Sequence, residues 1–221
     1  MHNFQTIREN IQKFGSPNTV LIAVSKTKPV EDILTLYNLG QRDFGENYAQ
    51  ELIEKADFIR KTGVTDISWH FLGHLQSKKA KLLLPIVSTI HSVDSEKLAH
   101  RLDHAAHSEG KKTNVFIQVN VDNETTKFGI PVTDIDRLAT DIIENCPNIN
   151  LQGLMCIPSI DNDPKSSFLK MKTAVKSLPK SAQALSMGMS SDYLVALECG
   201  ATHLRIGSAI FGNRHVPSFP K

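Results

Sequence analysis

Val20-Leu-Ile-Ala-Val-Ser-Lys26-Thr-Lys28-Pro29, taken with His203-Leu-Arg-Ile-Gly207 far along the chain, is the stretch on which the fold turns. Its apolar and small residues have the length and β-branched content of a strand covered on both faces, and Pro29 opens a helix behind it. At a period of two, Ile22, Val24 and Lys26 share one side, so a strand over 20–26 ends an inward apolar row with a lysine. Two readings of Lys26 follow. Its ammonium reaches out of the strand end into water, or it is a partly desolvated amine able to form a Schiff base with a carbonyl compound.

Outward from that stretch the chain alternates. An amphipathic helix from about Asn3 to Phe14 carries Phe4, Ile7, Ile11 and Phe14 on one stripe and stops at Gly15-Ser-Pro17. Strands are predicted at 20–26, 43–47, 68–73, 89–93, 114–120, 151–157, 184–188 and 203–207. Helices are predicted at 30–39 and 48–60, through a lysine-rich segment to Leu84, from a cap at Asp94 or Ser95 to Ser108, at 131–145 and 164–178, and from Ser190 or Ser191. This pattern specifies the α/β class: a single (β/α)8 TIM-type barrel with an extra N-terminal helix, one domain over 1–221. An open doubly wound sheet would carry a glycine fingerprint after its first strand, and Ser25-Lys-Thr-Lys-Pro29 contains no glycine.

Composition removes several classes of function. A net charge of +2 is too small for a nucleic-acid partner. Cys146, Cys156 and Cys199 form no CxxC pair and leave an odd count, which argues for a reducing compartment and against a disulfide framework or a zinc site. The N-terminus lacks the apolar core of a signal peptide, and no run approaches the ~18 apolar residues of a membrane span. A cytoplasmic monomer is expected. His70 and His74 read as a strand-end pair and not a metal site, and His91, His100, His104 and His107 read as solvent-facing.

If the barrel closes, its last strand lies beside its first, and the C-terminal strand ends form the site. Ser186-Met-Gly188-Met-Ser190-Ser191 and Gly207-Ser208 have the small residues and hydroxyls that a phosphate needs, although a serine there also serves as a plain N-cap. His203, Arg205 and Gly207 face the interior. Arg205 either pairs with an acid such as Glu46 or contacts a ligand. A ligand with an aldehyde at one end, a phosphate at the other and a ring nitrogen between fits Lys26, the two loops and Arg205 together, and pyridoxal 5'-phosphate has that layout.

Ala23-Val-Ser-Lys26-Thr-Lys-Pro29, Phe44-Gly-Glu-Asn-Tyr48, Trp69-His-Phe-Leu-Gly-His-Leu-Gln76, Lys127-Phe-Gly129, Gly153-Leu-Met155, Leu185-Ser-Met-Gly-Met-Ser190 and Arg205-Ile-Gly-Ser-Ala-Ile-Phe-Gly212 make the chain recognisable. It resembles the pyridoxal phosphate homeostasis proteins, whose barrel is like the N-terminal domain of alanine racemase, a fold type III cofactor barrel. The resemblance implies that Lys26 holds the cofactor as a Schiff base. It also implies that Ser186, Met189, Ser190, Gly207 and Ser208 line its phosphate, that Arg205 faces the pyridine nitrogen, and that Asn47, His70 and His74 lie around the ring. Lys78 and Leu185 depart from the family pattern, which more often has asparagine and methionine there.

The expected role is intracellular storage, delivery or regulation of pyridoxal phosphate, with cofactor-dependent apo-enzymes as partners and no catalysis. Alanine racemases add a C-terminal domain whose tyrosine is the second base, and Tyr37, Tyr48 and Tyr193 of this chain have no claim to that part. A lysine alone leaves the opposite face of a substrate carbanion without a proton donor. The alternatives are a racemase-like enzyme on small amino acids and a Schiff-base aldolase.

Overall fold

Eight parallel strands, in the order in which the chain makes them, close into a barrel in the computed structural model, which describes residues 2–212. They are β1 (Val20–Val24), β2 (Asp43–Glu46), β3 (Ser68–Phe71), β4 (Val87–Val93), β5 (Thr113–Val119), β6 (Ile149–Cys156), β7 (Ala184–Ser186) and β8 (His203–Ile206). Closure runs through β1 and β8, where Val20 pairs with His203 and Ile22 with Arg205. The two ends of the expected 1–221 domain, Met1 and residues 213–221, lie outside the described residues.

The helices are α1 (His2–Phe14), α2 (Val30–Asn38), α3 (Ala49–Lys61), α4 (Ala80–Leu83), α5 (Glu96–Ser108), α6 (Ile135–Asn145), α7 (Pro164–Ala174), α8 (Tyr193–Glu198) and α9 (Ser208–Phe211). Local chemistry sets their ends: the Ser95 hydroxyl caps α5 by accepting from the Leu98 N–H at 3.3 Å, and Pro164 opens α7 behind an Asp163 cap. The lysine-rich segment is not one helix. A 3₁₀ turn at Ser77–Lys79 precedes the single turn of α4, because only Ala80 and Leu83 of that short helix find a buried face, too little to hold a longer one together. Among the described residues no helix is long and apolar enough to cross a membrane.

Most of the core lies between barrel and helices. Phe44, Phe71, Ile90, Ile117 and Leu204 on the strands meet Ile33, Leu52, Leu102 and Phe168 on the helices, all fully buried. Each such side chain contributes about 1.5–3 kcal/mol on burial, so this layer carries the stability of the fold. The barrel interior has a different composition. Ile22, Phe116 and Met155 are apolar, but buried His70, His91, Ser186 and Arg205 share the space that branched aliphatics ordinarily fill in such barrels.

Candidate functional site

At the C-terminal mouth a cavity of about 380 Å³ is lined by Lys26, Lys28, Asn47, Met189, Ser190, Arg205, Gly207 and Ser208, among others. Strand β1 supplies Lys26 indirectly. It stops at Val24 and not at the expected 26, because the Ser25 N–H makes the last barrel bond, to Gly45 O at 2.9 Å, and Thr27 then takes a left-handed φ of 62°. Lys26 therefore stands on a turn just beyond the strand.

That turn is pinned from below. Lys55 of α3, almost fully buried, donates to Ser25 O, Glu46 Oε1 and Glu51 Oε1, each at 2.7 Å. Ser25 donates its hydroxyl to the same Glu46 oxygen at 2.7 Å. Burial raises the Glu46 carboxyl above the usual carboxylate range, against the lowering effect of Lys55. Lys28 reaches the other way, donating to Phe211 O at 3.0 Å and tying the turn to α9.

Opposite Lys26 are the two small-residue loops. Gly188 has φ +92°, and a Cβ there would lie 2.6 Å from Ala196 Cβ, so glycine is required to turn the chain out of β7. Ser190 does not cap the next helix, which begins at Tyr193 behind Asp192. Its hydroxyl instead accepts from the Ala209 N–H at 3.1 Å and ties the loop after β7 to the start of α9. A Cβ on Gly207 would come within 3.2 Å of Val24 O, so the bare backbone keeps a shelf open beside Ser208.

Arg205 forms the floor. It is 5 % exposed and donates to Ser186 Oγ at 2.7 Å and to Cys156 O at 2.8 Å. Burial lowers the guanidinium from its ordinary value. The rival reading, a pair with Glu46, does not form, because Glu46 is engaged by Lys55.

Of the residues singled out in the sequence, Lys26, Asn47, Met189, Ser190, Arg205, Gly207 and Ser208 come together around the cavity. His70 and Ser186 do not line it. Their side chains hang on short strands well inside the barrel, where His70 bonds His91 and Asp43, and Ser186 bonds His91 and Arg205. His74 is exposed and stacks on Phe128 at 3.9 Å between ring centroids. His91, expected in solvent, is fully buried and stacks on Phe116 at 4.6 Å. The signal that could have found it is its place in Thr89-Ile-His-Ser-Val93, where strand alternation with apolar Ile90 outward turns the imidazole inward.

The family model described as "Alanine racemase, N-terminal domain" matches residues 1–215. A "Pyridoxal phosphate homeostasis protein" of Vibrio alginolyticus is 42% identical over 222 residues, covering 96% of this chain and 95% of that one. A protein of the same name from Escherichia coli strain K12 is 38% identical over 225 residues, 96% of each chain. Among solved structures, PipY of Synechococcus elongatus with PLP bound superposes with a TM-score of 0.82 at 33% identity, covering 96% of this chain and 99% of that one.

Proposed function

Because the chain belongs to the alanine racemase N-terminal-domain family and, within it, to the pyridoxal phosphate homeostasis proteins, we propose that it binds pyridoxal 5'-phosphate and keeps the intracellular supply of that cofactor in order without turning over a substrate. The observation that carries this is the convergence on one cavity of a turn-mounted amine, two hydroxyl-bearing loops with a glycine shelf, and a buried guanidinium. The donor set fits the group. When bound, pyridoxal phosphate supplies an aldehyde carbon open to amine attack and an electron-drawing ring.

Lys26 is the amine that takes the covalent link, and the turn held by Lys55 keeps it over the cavity. Ser190, Met189, Gly207 and Ser208 would hold the phosphate, where backbone approach and hydroxyl donors meet. Asn47 would stand beside the ring, and Arg205 would face the ring nitrogen. His70 and Ser186 act from behind, through Arg205.

An arginine at the ring nitrogen keeps a proton off it, which weakens the ring as an electron sink. A second acid–base group would have to come from the cavity wall, and the tyrosines are elsewhere: Tyr37 donates to Asp66 at 2.5 Å, Tyr193 accepts from Asn10 at 2.8 Å, and Tyr48 is exposed. A holder whose cofactor stays open at the mouth can pass it to cofactor-dependent apo-enzymes, and a monomer leaves that mouth uncovered.

The test begins with the visible spectrum of the purified chain after loading and desalting. A yellow protein whose colour is lost in Lys26→Ala supports the reading, and a colourless protein that ignores added pyridoxal phosphate ends it. Turnover of any member of a D- and L-amino-acid panel well above the free cofactor would replace the holder with a racemase-like enzyme. Gel filtration at the mass of a dimer would remove the monomer, and faster activation of an apo-enzyme by the loaded protein than by free cofactor supports delivery.

A further inference from the structure

On the outside of the barrel, between α5 and the 3₁₀ turn that leads into α4, is a second cleft of about 690 Å³ that shares no lining residue with the cavity at the mouth. Its floor is Ala80 and Ala105, both buried, whose small side chains leave a hollow that larger ones would fill. Lys97, Arg101, His104 and Ser108 follow one another on α5 at spacings of four, three and four, which is one face of a helix. Lys78 and Lys81 stand on the facing wall, with Gln76 and Ser77 beside them. All five basic residues are exposed.

Elsewhere on the surface cations are paired: Arg42 with Asp66, Arg60 and Lys61 with Asp57, and Arg137 with Glu96 and Asp134. In the cleft they are not. Among the described residues no carboxylate lines it, and the side chains of Lys78, Lys81, Lys97, Arg101 and His104 make no ion pair or hydrogen bond. The acids in the neighbourhood are turned to other partners. Glu96, next to Lys97 in the chain, accepts from Arg137 of α6, and Asp103 accepts from the Asn148 N–H at 2.6 Å. Asp94 lies 3.6 Å from His74, and Glu109 stands past the end of α5.

Packing alone does not account for the gathering. Lys97 and Arg101, like charges four apart on one helix, repel each other, and the single turn of α4 has little buried surface with which to offset the presence of Lys78 and Lys81. Lys78 is also the residue at which this chain departs from the asparagine more usual in its family, so one of the five cations is an addition to the family pattern. An anion seated between the two walls turns the mutual repulsion into attraction.

We propose that this cleft binds a small polyphosphate anion, of the class of inorganic tripolyphosphate or a nucleoside triphosphate. The site uses none of the residues assigned to pyridoxal phosphate and stands independently of that assignment. Ammonium groups and a guanidinium are the side chains that bind phosphate oxygens, the first as point charges and the second through paired N–H donors, and Ser77, Ser108 and Gln76 add neutral donors. Cations on two facing walls suit several linked phosphates, where a single phosphate would reach only one wall. The volume falls within the range of about 300–1,000 Å³ usual for small-molecule sites. A nucleic acid needs the charge to continue along a track, and a net charge of +2 over the whole chain leaves none beyond this hollow. A bilayer surface is bound through inserted apolar side chains, and the apolar residues lining this cleft are two buried alanines.

The experiment titrates the full chain, unloaded and loaded with pyridoxal phosphate, with tripolyphosphate in a calorimeter while the visible band is recorded. One site is expected in both forms, at least about tenfold tighter for tripolyphosphate than for orthophosphate, and weakening as salt rises from about 50 to about 200 mM. Arg101→Gln and Lys78→Asn, both at exposed positions, are each expected to weaken binding several-fold and together by about tenfold or more. Lys176→Gln removes the same charge beyond α6, outside the cleft, and is expected to change nothing. No binding, wild-type affinity in the folded double variant, or an equal loss in Lys176→Gln overturns the site. Loss of the visible band in step with binding puts the anion in the cofactor cavity and overturns it too. Adenosine triphosphate run alongside tells a nucleotide from a bare polyphosphate: tighter binding gives the first, equal binding the second, and both keep the class. Phosphatidylserine vesicles or a single-stranded oligonucleotide captured through Arg101, with tripolyphosphate ignored, overturn the small-ligand assignment. A chain that binds tripolyphosphate yet takes up no pyridoxal phosphate refutes the cofactor reading and leaves the cleft standing.

Discussion

Replacing Lys55 by methionine isolates the ion cluster that pins the Lys26 turn. The substitution keeps most of the length of the side chain and removes three hydrogen bonds, to Ser25 O, Glu46 Oε1 and Glu51 Oε1. Glu46 has no exposed side-chain surface, and its second oxygen already lacks a partner, so without Lys55 the carboxylate keeps only the Ser25 hydroxyl. Breaking a buried pair from one side costs about 3–5 kcal/mol. With an unfolding slope of about 1–3 kcal/mol per molar urea, the midpoint falls by about 1–5 M.

The pH dependence follows from Glu46. Its folded-state value is raised above its unfolded one, so the stability it contributes is fully present below the unfolded value and is lost as pH rises through the folded value. In Lys55→Met the two influences of Lys55 that lower it disappear and burial acts nearly alone. The deficit is therefore larger at pH 8 than at pH 5. Urea titrations at both pH values, on the mutant and on Lys55→Met with Glu46→Leu, decide the matter. A deficit below about 1 kcal/mol at pH 8, or one equal at the two pH values, refutes the account, and the double variant is expected to recover most of the loss because a buried pair is replaceable by apolar groups.

The remaining expectations are simpler. Gly207→Ala puts a methyl 3.2 Å from Val24 O on the open shelf, so cofactor retention falls several-fold while the melting temperature moves little; equal retention would detach Gly207 from the site. Thiol titration of the native protein at pH 8 gives almost no reaction at Cys146 or Cys156, whose thiols burial raises to about 11 and about 12, and all three cysteines react once the chain is unfolded. Rapid native labelling of either would contradict the packing described.

Much of the architecture is legible in the sequence because strand and helix here obey local rules. The alternation of strand-like and helix-like segments locates all eight strands, and Ser95 and Pro164 mark helix starts as their chemistry dictates. The cavity is legible once β1 and β8 are set side by side, since Lys26, Arg205 and the serine loops then fall at the same end. The interior is not. His91 looks like its helical neighbours His100 and His104 in composition, and its partners Ser186 and His70 are distant in sequence and meet it only through barrel register. Glu46, weighed as a partner for Arg205, pairs instead with Lys55 of α3, only nine residues further along the chain.

The β1–β8 seam also governs when the site can exist. Segment 20–24 leaves the ribosome early and pairs with β2, but its other edge waits for 203–206, and the wall opposite Lys26 is itself built from 189–212. Nascent chains short of that point have an amine but no cradle, so acquisition of colour reports completed synthesis and closure together, and cofactor cannot be captured by fragments that will never finish folding.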